Sequence, residues 1–407
     1  MNCRNCNATL DLNVIDLGYA PHSNGYLGKD DLNKPEASFP LRVKLCESCW
    51  LVQTEDYIDC DDIFDETYAY FSSASKSYLQ HAFTYVETIV KELKLDKNSS
   101  VIEIASNDGY LLKNFLHKNI PCFGIEPTLS TAEAAKKIGV PVIIDFLTVK
   151  LANQLVKNGK QADLIIGNNV YAHVPDLVDF TEAIRLLLKE HGTVTLEFPH
   201  LMQLLKHNQF DTIYHEHYSY HNLDTVTKVF QKAGLRVWKV DEIPTHGGSL
   251  RVYGCLHGDT RSTDKSVATV LKKEKSFGLF NFKAFRHLQT TAESIKFELL
   301  SFLLSAKANG KVVCGYGAAA KGNTLLNYSG IRSDLIPFIF DASPSKQNKF
   351  MPGSHIPILS PKDINKIKPD YILILPWNIK DEVMEQLNFT KKWGAKFVTA
   401  IPKFSIL

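Results

Sequence analysis

Two Cys-x-x-Cys pairs near the N-terminus constrain the fold of this chain more than any other sequence feature. Cys3 and Cys6 form the first pair, and Cys46 and Cys49 form the second. Together the pairs can present four thiolates to one Zn²⁺ ion, which leaves no open coordination position and predicts a structural metal site. Two redox pairs are the alternative, although a redox Cys-x-x-Cys normally opens a helix. The Pro, Gly and Asn residues in 20–25 predict a loop between the pairs.

Length and composition describe an ordinary globular protein of several domains. A chain of 407 residues is too long for one core and predicts two or three domains. The net charge of +2 gives no reason to expect a nucleic-acid or anionic-membrane partner. We find no apolar run long enough to span a bilayer and no apolar leader, and the remaining cysteines are scattered, so we expect a cytoplasmic protein.

Beyond the cysteine pairs, short apolar strands alternate with helices. Strands are predicted at 101–105, 123–127, 142–145, 163–167 and 192–198, after a helix from about 78 to 95. This alternation predicts an α/β fold with a doubly wound sheet and a ligand at the carboxyl ends of its strands. A charged helical connector from about 264 to 304 leads to a strand, a Gly-x-Gly turn and a helix start at 311–323. Further strands at 335–341 and 371–378 predict a second, Rossmann-like α/β unit.

Polar residues at the ends of the central strands predict a cofactor site. The candidates are Glu103, Ser106, Asn107, Asp108, Gly109, Glu126, Pro127, Asp145, Asn168 and Asn169. Glu126 ends the second strand, where an acid can hydrogen-bond ribose hydroxyls. The phosphate-binding G-x-G-x-x-G loop is absent, so a ligand without phosphate, such as S-adenosylmethionine, fits better than a dinucleotide. A nucleotide-dependent oxidoreductase is the alternative.

Residues 211–220 combine two histidines, two carboxylates and three tyrosines, which predicts acid–base chemistry. The candidates in this segment are Tyr214, His215, Glu216 and His217, with His173 from the loop after the fourth strand. In an extended segment, Tyr214 and Glu216 would face away from His215 and His217, whereas a turn would let all four converge. A metal site or a polar surface strand is the alternative, although the H-E-x-x-H spacing is missing. His173 could instead cap a helix.

These motifs resemble those of the zinc-containing, S-adenosylmethionine-dependent sugar C-methyltransferases over nearly the whole chain. The resemblance is carried by the cysteine pairs and by residues 68–73, 103–109, 169–174, 211–217, 247–251 and 315–322. It implies a zinc-binding domain (1–70) and a methyltransferase domain (71–258). It also implies a helical connector with a C-terminal domain (259–407) that helps hold a nucleotide.

The resemblance also implies a reaction. The family transfers a methyl group to a carbon next to a ketone, which would be C3 or C5 of a nucleotide-linked 4-keto-deoxyhexose. His217 matches the family's general base, and Tyr214, Glu216 and His173 are expected near the sugar. The residues expected to bind substrate are Tyr70, Ser73, Lys76, Tyr316, Lys321 and Asp341. We expect a monomer or a small homo-oligomer.

Two positions depart from the family pattern, and two other hypotheses stay open. Asp341 is followed by Ala342, where the family often has an arginine, and Tyr220-His221 replaces the usual aromatic pair. The first alternative is a methyltransferase that acts on a hydroxyl or an amine and needs no proton abstraction from carbon. The second is an inactive sugar-nucleotide-binding module, which the intact Glu126 and the 214–217 cluster disfavour. The hydroxyl-rich segment 68–77 could contact a sugar or simply cap the next helix.

Overall fold

The computed structural model describes residues 1–58 and 71–407. Tyr70, predicted to bind substrate, lies outside these residues, as do residues 68 and 69 of the same motif. The described residues form three β-sheets with helices around them. None of the helices in the described ranges has both the length and the apolar composition that crossing a bilayer requires.

The strands are β1 (Leu12–Ala20), β2 (Phe39–Leu45), β3 (Val52–Thr54), β4 (Val101–Ile104), β5 (Cys122–Ile125), β6 (Val142–Ile143), β7 (Ala162–Asn168), β8 (Leu188–Pro199), β9 (Ser219–Tyr220), β10 (Leu235–Ile243), β11 (Ser249–Leu256), β12 (Val313–Tyr316), β13 (Ile339–Phe340), β14 (Ile358–Leu359), β15 (Tyr371–Ile374), β16 (Lys396–Thr399) and β17 (Ser405–Ile406). The α-helices are α1 (Lys76–Leu93), α2 (Leu112–Leu116), α3 (Leu129–Lys137), α4 (Val149–Lys157), α5 (Leu177–Leu187), α6 (Leu201–Lys206), α7 (Leu223–Lys232), α8 (Lys265–Phe277), α9 (His287–Ala308), α10 (Ala320–Ser329), α11 (Ile364–Ile367) and α12 (Lys380–Gln386).

The central sheet has the strand order β10-β11-β8-β7-β4-β5-β6. The five strands from β4 to β8 are parallel and coincide with the predicted ones, which confirms the α/β fold class. The antiparallel pair β10–β11 at the edge was not predicted. Charged residues at Arg236, Lys239 and Asp241 interrupt the apolar pattern of β10, so its strand character is hard to detect from sequence.

The N-terminal sheet has the order β1-β2-β3-β9 and is antiparallel. Its last strand, β9, comes from the 211–220 segment and pairs Tyr220 with Val52 and Ser219 with Gln53. The N-terminal lobe is therefore completed by a piece of chain from far along the sequence. A single hydrophobic cluster joins this sheet to α6, α9 and the C-terminal sheet.

The C-terminal sheet has the order β14-β13-β12-β15-β16-β17, parallel except for β17. The predicted helical connector consists of two helices, α8 and α9. Gly278 ends α8 in the left-handed conformation at φ +94, which a residue with a side chain rarely adopts. α9 then packs Leu288, Ile295 and Leu299 into the shared cluster between the lobe and the C-terminal sheet.

Candidate active site

A cavity of about 390 Å³ opens at the carboxyl ends of the central parallel strands. Its walls come from all three sheets and their loops. They include Asn24 from the N-terminal lobe, Asn107, Glu126, Pro127, Asp145, Asn168, Asn169 and His173 from the central sheet, Tyr214, Glu216 and His217 from the 211–220 segment, and Lys321 and Lys346 from the C-terminal unit. Four of the five predicted catalytic residues and six of the ten predicted cofactor residues therefore line one cavity.

Glu126 organises the cofactor end of this cavity. Its Oε2 accepts a hydrogen bond from the Asn107 backbone nitrogen at 2.8 Å, and its Oε1 accepts from the Thr128 nitrogen at 3.0 Å and the Thr131 hydroxyl at 3.1 Å. Asn107 has φ +50, so the turn after β4 is tight and needs this anchor. Burial raises the pKa of Glu126, and the hydrogen bonds from Thr128 and Asn107 oppose that shift.

Several buried polar atoms around this turn lack a partner within the described residues. They are Glu103 Oε2, Ser106 Oγ, Asp108 Oδ1 and both side-chain polar atoms of Asn168. Burial raises the pKa of Glu103 well above its usual value, and the nearby Glu126 and Asp108 add to the effect. Unpaired buried polar groups are costly, so a polar ligand is favoured at Asn168, which lines the cavity, as the amino-acid end of S-adenosylmethionine would be.

Four predicted cofactor residues lie behind the cavity wall rather than on it. They are Glu103, Ser106, Asp108 and Gly109. Asp108 accepts a hydrogen bond from the Ser73 backbone nitrogen at 3.1 Å, which ties the turn to the segment before α1. Gly109 has φ +75, and a Cβ there would lie 3.0 Å from Val140 and 3.1 Å from Ala135. Its role in the structure is therefore close packing of the turn against α3.

The 211–220 segment turns through a 3-10 helix at Phe210–Thr212 before it forms β9. Tyr214, Glu216 and His217 line the cavity, but His215 does not. His215 Nε2 donates to the Pro40 carbonyl at 3.1 Å, and its ring meets Phe39 edge-on at 6.0 Å. The structure therefore places His215 against β2, away from the other predicted catalytic residues.

His217 is held as a neutral imidazole. Its Nδ1 donates to the Thr212 carbonyl at 2.8 Å, which leaves the lone pair on Nε2. Burial lowers the pKa of His217 well below its usual value, and the neighbouring His173 lowers it further. The His217 ring lies 4.0 Å from the Tyr214 ring and 4.8 Å from the His173 ring, measured between centroids.

Glu216 is held by two residues that the sequence did not single out. Asn24 Nδ2 donates to Glu216 Oε2 at 2.7 Å, and His22 Nε2 lies 2.8 Å from Glu216 Oε1. Burial would raise the pKa of Glu216, but His22 and Asn24 bring it below its usual value. Both partners belong to the loop after β1, whose Pro, Gly and Asn residues indicated only a loop.

The C-terminal wall carries two lysines. Lys321, at the start of α10, donates to Asn378 Oδ1 at 2.8 Å and lies 4.9 Å from the centre of the Trp377 ring. Burial lowers the pKa of Lys321, opposed by the charge of Asp211. Lys346, which sequence analysis missed, donates to the Ala318 carbonyl at 2.8 Å.

Of the other predicted substrate residues, the four that the structure describes do not line the cavity: Ser73, Lys76, Tyr316 and Asp341. The Tyr316 hydroxyl donates to Gln386 Oε1 at 3.2 Å within the C-terminal unit. Asp341 accepts from the Ala318 and Ser343 backbone nitrogens, both at 2.7 Å, so it closes the turn after β12. Ser73 and Lys76 are exposed beside the start of α1.

A buried ion pair below the cavity was also missed. Arg251 Nη2 donates to Glu197 Oε2 at 2.8 Å, and His81 Nε2 lies 2.9 Å from Glu197 Oε1. The Tyr78 ring, part of the cavity wall, stacks on His81 with a centroid distance of 6.0 Å. Arg251 follows the Gly247-Gly248 pair, which was the only sequence signal for this cluster.

The four cysteines of the two Cys-x-x-Cys pairs meet in the N-terminal lobe. Their Sγ atoms all lie within 4.8 Å of one another, with 3.5 Å between Cys3 and Cys49 and 3.5 Å between Cys6 and Cys46. Zn–S bonds of about 2.3 Å in a tetrahedron require sulfurs at about this separation. Gln53 Nε2 donates to Cys3 Sγ at 3.4 Å, which connects the zinc site to β3.

Known protein families match most of the chain. Three family models match in chain order: a zinc binding domain at 3–64, a methyltransferase domain at 78–240 and a C-methyltransferase C-terminal domain at 244–402. The chain is thus an S-adenosylmethionine-dependent methyltransferase with a structural zinc. The C-methyltransferase NovU of Streptomyces niveus is 33% identical over 401 residues, which are 98% of this chain and 95% of that relative. This chain belongs to the same C-methyltransferase family.

Two solved structures each match less than half of this chain. The PH0226 protein of Pyrococcus horikoshii OT3 is 13% identical with a TM-score of 0.36, and the match covers 46% of this chain and 95% of that one. Magnesium protoporphyrin IX methyltransferase (ChlM) of Synechocystis PCC 6803 with bound SAH is 13% identical with a TM-score of 0.34, covering 44% and 82%.

Proposed function

We propose that this enzyme methylates a sugar carbon next to a ketone, C3 or C5 of a nucleotide-linked 4-keto-deoxyhexose, after forming an enolate. One observation carries the proposal. His217 is a buried, neutral imidazole on the cavity wall, and its Nδ1 is committed to the Thr212 carbonyl. A base in this state can accept a proton at Nε2 without first losing one.

The chemistry requires such a base. A C–H carbon is not a nucleophile, but a neighbouring ketone makes its proton removable. His217 Nε2 takes this proton, and the electron pair of the C–H bond moves toward the ketone oxygen. General-base catalysis of this kind typically contributes about 10²–10⁴-fold in rate.

The developing negative charge on the ketone oxygen needs a donor. Tyr214 and His173 are the candidates, because both rings line the cavity beside the His217 ring. A preorganised donor in a buried site stabilises an enolate oxygen without reorganisation at the moment of reaction. Glu216 is better suited to fix charge than to take the proton, because both of its oxygens already have partners, Asn24 and His22.

The carbon and its methyl donor have to share one cavity. Asn107, Glu126 and Asn168 line the same cavity as His217 and would hold S-adenosylmethionine. That cofactor supplies the electrophilic methyl group when it is bound. The position of these residues supports a reaction in which the nucleophilic carbon of the enolate and the methyl donor are held next to each other in one cavity.

We expect the diphosphate of the nucleotide-linked substrate to bind at the cavity wall formed by the C-terminal unit. Lys321 and Lys346 line the cavity, and α10 begins there without a side-chain cap on its N-terminus. A helix N-terminus beside buried cations favours a phosphate. The position after Asp341 lacks the arginine common in the family, so the contacts with the nucleotide are expected to differ from the family pattern.

An assay with a panel of nucleotide-linked 4-keto-deoxysugars and S-adenosylmethionine tests this function. The expected product gains one methyl group, and NMR locates that methyl on C3 or C5. A methyl on a hydroxyl or amine would contradict the proposal, because such a transfer needs no enolate. Substrate incubated in D₂O without S-adenosylmethionine separates the two reactions further, since only the proposed route exchanges the carbon-bound proton.

A further inference from the structure

The zinc-bearing lobe holds the 211–220 segment directly through its backbone. Thr54 of β3 donates from its hydroxyl to the His217 carbonyl at 2.9 Å and from its backbone nitrogen to the Tyr218 carbonyl at 3.1 Å. The next residues of that segment form β9, the fourth strand of the lobe's sheet. The backbone of the proposed base is therefore hydrogen-bonded directly to the lobe.

The same lobe also holds a charged side chain of this segment. Glu216 is 1% exposed, and its two carboxylate oxygens face Asn24 Nδ2 at 2.7 Å and His22 Nε2 at 2.8 Å. A buried carboxylate stays ionised only when hydrogen bonds and opposite charge offset its desolvation. His22 and Asn24 provide both, and Asn24 is itself part of the cavity wall.

We propose that His22 and Asn24 are positioning residues of the active site, which keep Glu216 ionised and fixed next to His173 and so make the zinc lobe part of the catalytic machinery. The inference rests on the proposed function for its kinetic consequence. The zinc lobe then has a second role besides binding zinc, because its loop after β1 keeps the Glu216 carboxylate charged at the cavity wall.

The route from Glu216 to the reaction passes through His173. Burial lowers the pKa of His173, and the Glu216 charge and a hydrogen bond to the Glu216 backbone oppose part of that lowering. His173 is a candidate donor to the enolate oxygen, and the nearby carboxylate offsets part of the penalty that burial imposes on any positive charge developing on the ring. A displaced or protonated Glu216 would weaken that donor and slow enolate formation, with little effect on cofactor binding.

Two substitutions of one residue test the proposal. His22→Leu removes the donor to Glu216, whereas His22→Gln keeps an Nε2 that can donate to the carboxylate. We expect His22→Leu to lower kcat about tenfold or more, the effect of losing a hydrogen bond to a charged group. The KM for S-adenosylmethionine and the zinc content should stay at wild-type values, and His22→Gln should recover most of the lost kcat. His117→Leu, at an exposed histidine after α2, is the matched control and should behave like wild type.

A second measurement needs no substrate. Hydrogen–deuterium exchange followed by mass spectrometry on peptides covering residues 211–220 should show faster uptake in His22→Leu than in wild type, and wild-type uptake in His22→Gln. Wild-type kcat in a folded, zinc-loaded His22→Leu protein would overturn the inference and leave the proposed function intact. If the wild-type enzyme methylates no keto-sugar in the panel, the proposed function fails instead. Equal deuterium uptake in His22→Leu and His22→Gln would separately overturn the inference that His22 positions Glu216.

Discussion

His217 donates from Nδ1 to the carbonyl oxygen of Thr212 over 2.8 Å, and this bond sets the chemistry available to the imidazole. A ring that donates at Nδ1 carries its lone pair on Nε2. Burial and the neighbouring His173 lower the pKa of His217, so the ring is neutral at physiological pH. A weakly basic but fully deprotonated imidazole suits a proton that only a ketone has made acidic.

Glu126→Ala should weaken S-adenosylmethionine binding by about 1.5–3 kcal/mol, the usual effect of losing a charged hydrogen-bond partner. Part of that loss comes from the Asn107 turn, which Glu126 anchors at 2.8 Å. Isothermal titration calorimetry with S-adenosylmethionine measures the change. Glu133→Ala, at an exposed acid of the neighbouring α3, is the control. Equal dissociation constants for wild type and Glu126→Ala would show that Glu126 does not support the cofactor.

Lys321→Met should raise the KM for the nucleotide-linked substrate about tenfold or more, because a buried cation at the cavity wall is lost. The dissociation constant for S-adenosylmethionine should not change. Calorimetry with a panel of nucleoside diphosphates reports the same loss without turnover. Lys366→Met, on the exposed surface of the same unit, should leave both quantities at wild-type values. An unchanged KM in Lys321→Met would assign the diphosphate to another part of the molecule.

Cys46→Ser should abolish the zinc site, because a four-thiolate site needs every one of its ligands and the described residues bring no further ligand to it. The zinc content measured by metal analysis should fall from one zinc per chain toward none. The N-terminal lobe should also become more sensitive to proteolysis. Cys255→Ala, at a buried thiol of β11, is expected to retain the zinc. A native protein without zinc, or a Cys46→Ser protein with a full zinc content, would contradict this prediction.

Acid should destabilise the fold partly through His221. Burial lowers the pKa of His221 to about 4, whereas an unfolded histidine titrates near 6.5. Between these values the unfolded chain binds a proton that the folded chain does not, so the free energy of unfolding falls as the pH drops below about 6.5. The His221 contribution lost between pH 7 and pH 5 is about 2 kcal/mol.

The variant His221→Phe isolates this contribution, because other acid-sensitive groups, including the zinc ligands, are common to both proteins. Urea unfolding at pH 7 and at pH 5 should show a smaller acid-induced loss in His221→Phe than in wild type. The phenyl ring keeps the stacking that His221 makes with the Tyr171 ring, at a centroid distance of 4.6 Å. Equal losses in the two proteins would mean that His221 titrates normally in the folded state.

The sequence predicted those features that are encoded locally. The Cys-x-x-Cys spacing brings two thiolates together within each pair, and the short apolar runs were assigned to strands β4 to β8 with small differences at their ends. His173 and the Tyr214, Glu216 and His217 cluster also lie on one cavity, as the family motifs implied. Their catalytic roles remain predictions.

The contacts that could not be predicted from the sequence join residues that lie far apart in the chain. Glu216 meets His22 and Asn24 only because β9 joins the sheet of the zinc lobe. His215 was also predicted to be catalytic, but its Nε2 donates to the Pro40 carbonyl and its ring does not line the cavity. The sequence of a short loop segment does not show which of its side chains will face the cavity, because tertiary packing decides that orientation.

We expect His217 to remove the proton from the carbon that becomes methylated. Proton exchange at that carbon is the most direct measurement of this step. A nucleotide-linked 4-keto-deoxysugar that the wild-type enzyme methylates is incubated in D₂O with the enzyme but without S-adenosylmethionine. NMR then follows the incorporation of deuterium at the reactive carbon. Wild type should catalyse this exchange, and His217→Asn should lose about 10²–10⁴-fold in rate while it keeps its zinc and its affinity for S-adenosylmethionine. Exchange at the wild-type rate in His217→Asn would contradict the account, because another residue would then be the base.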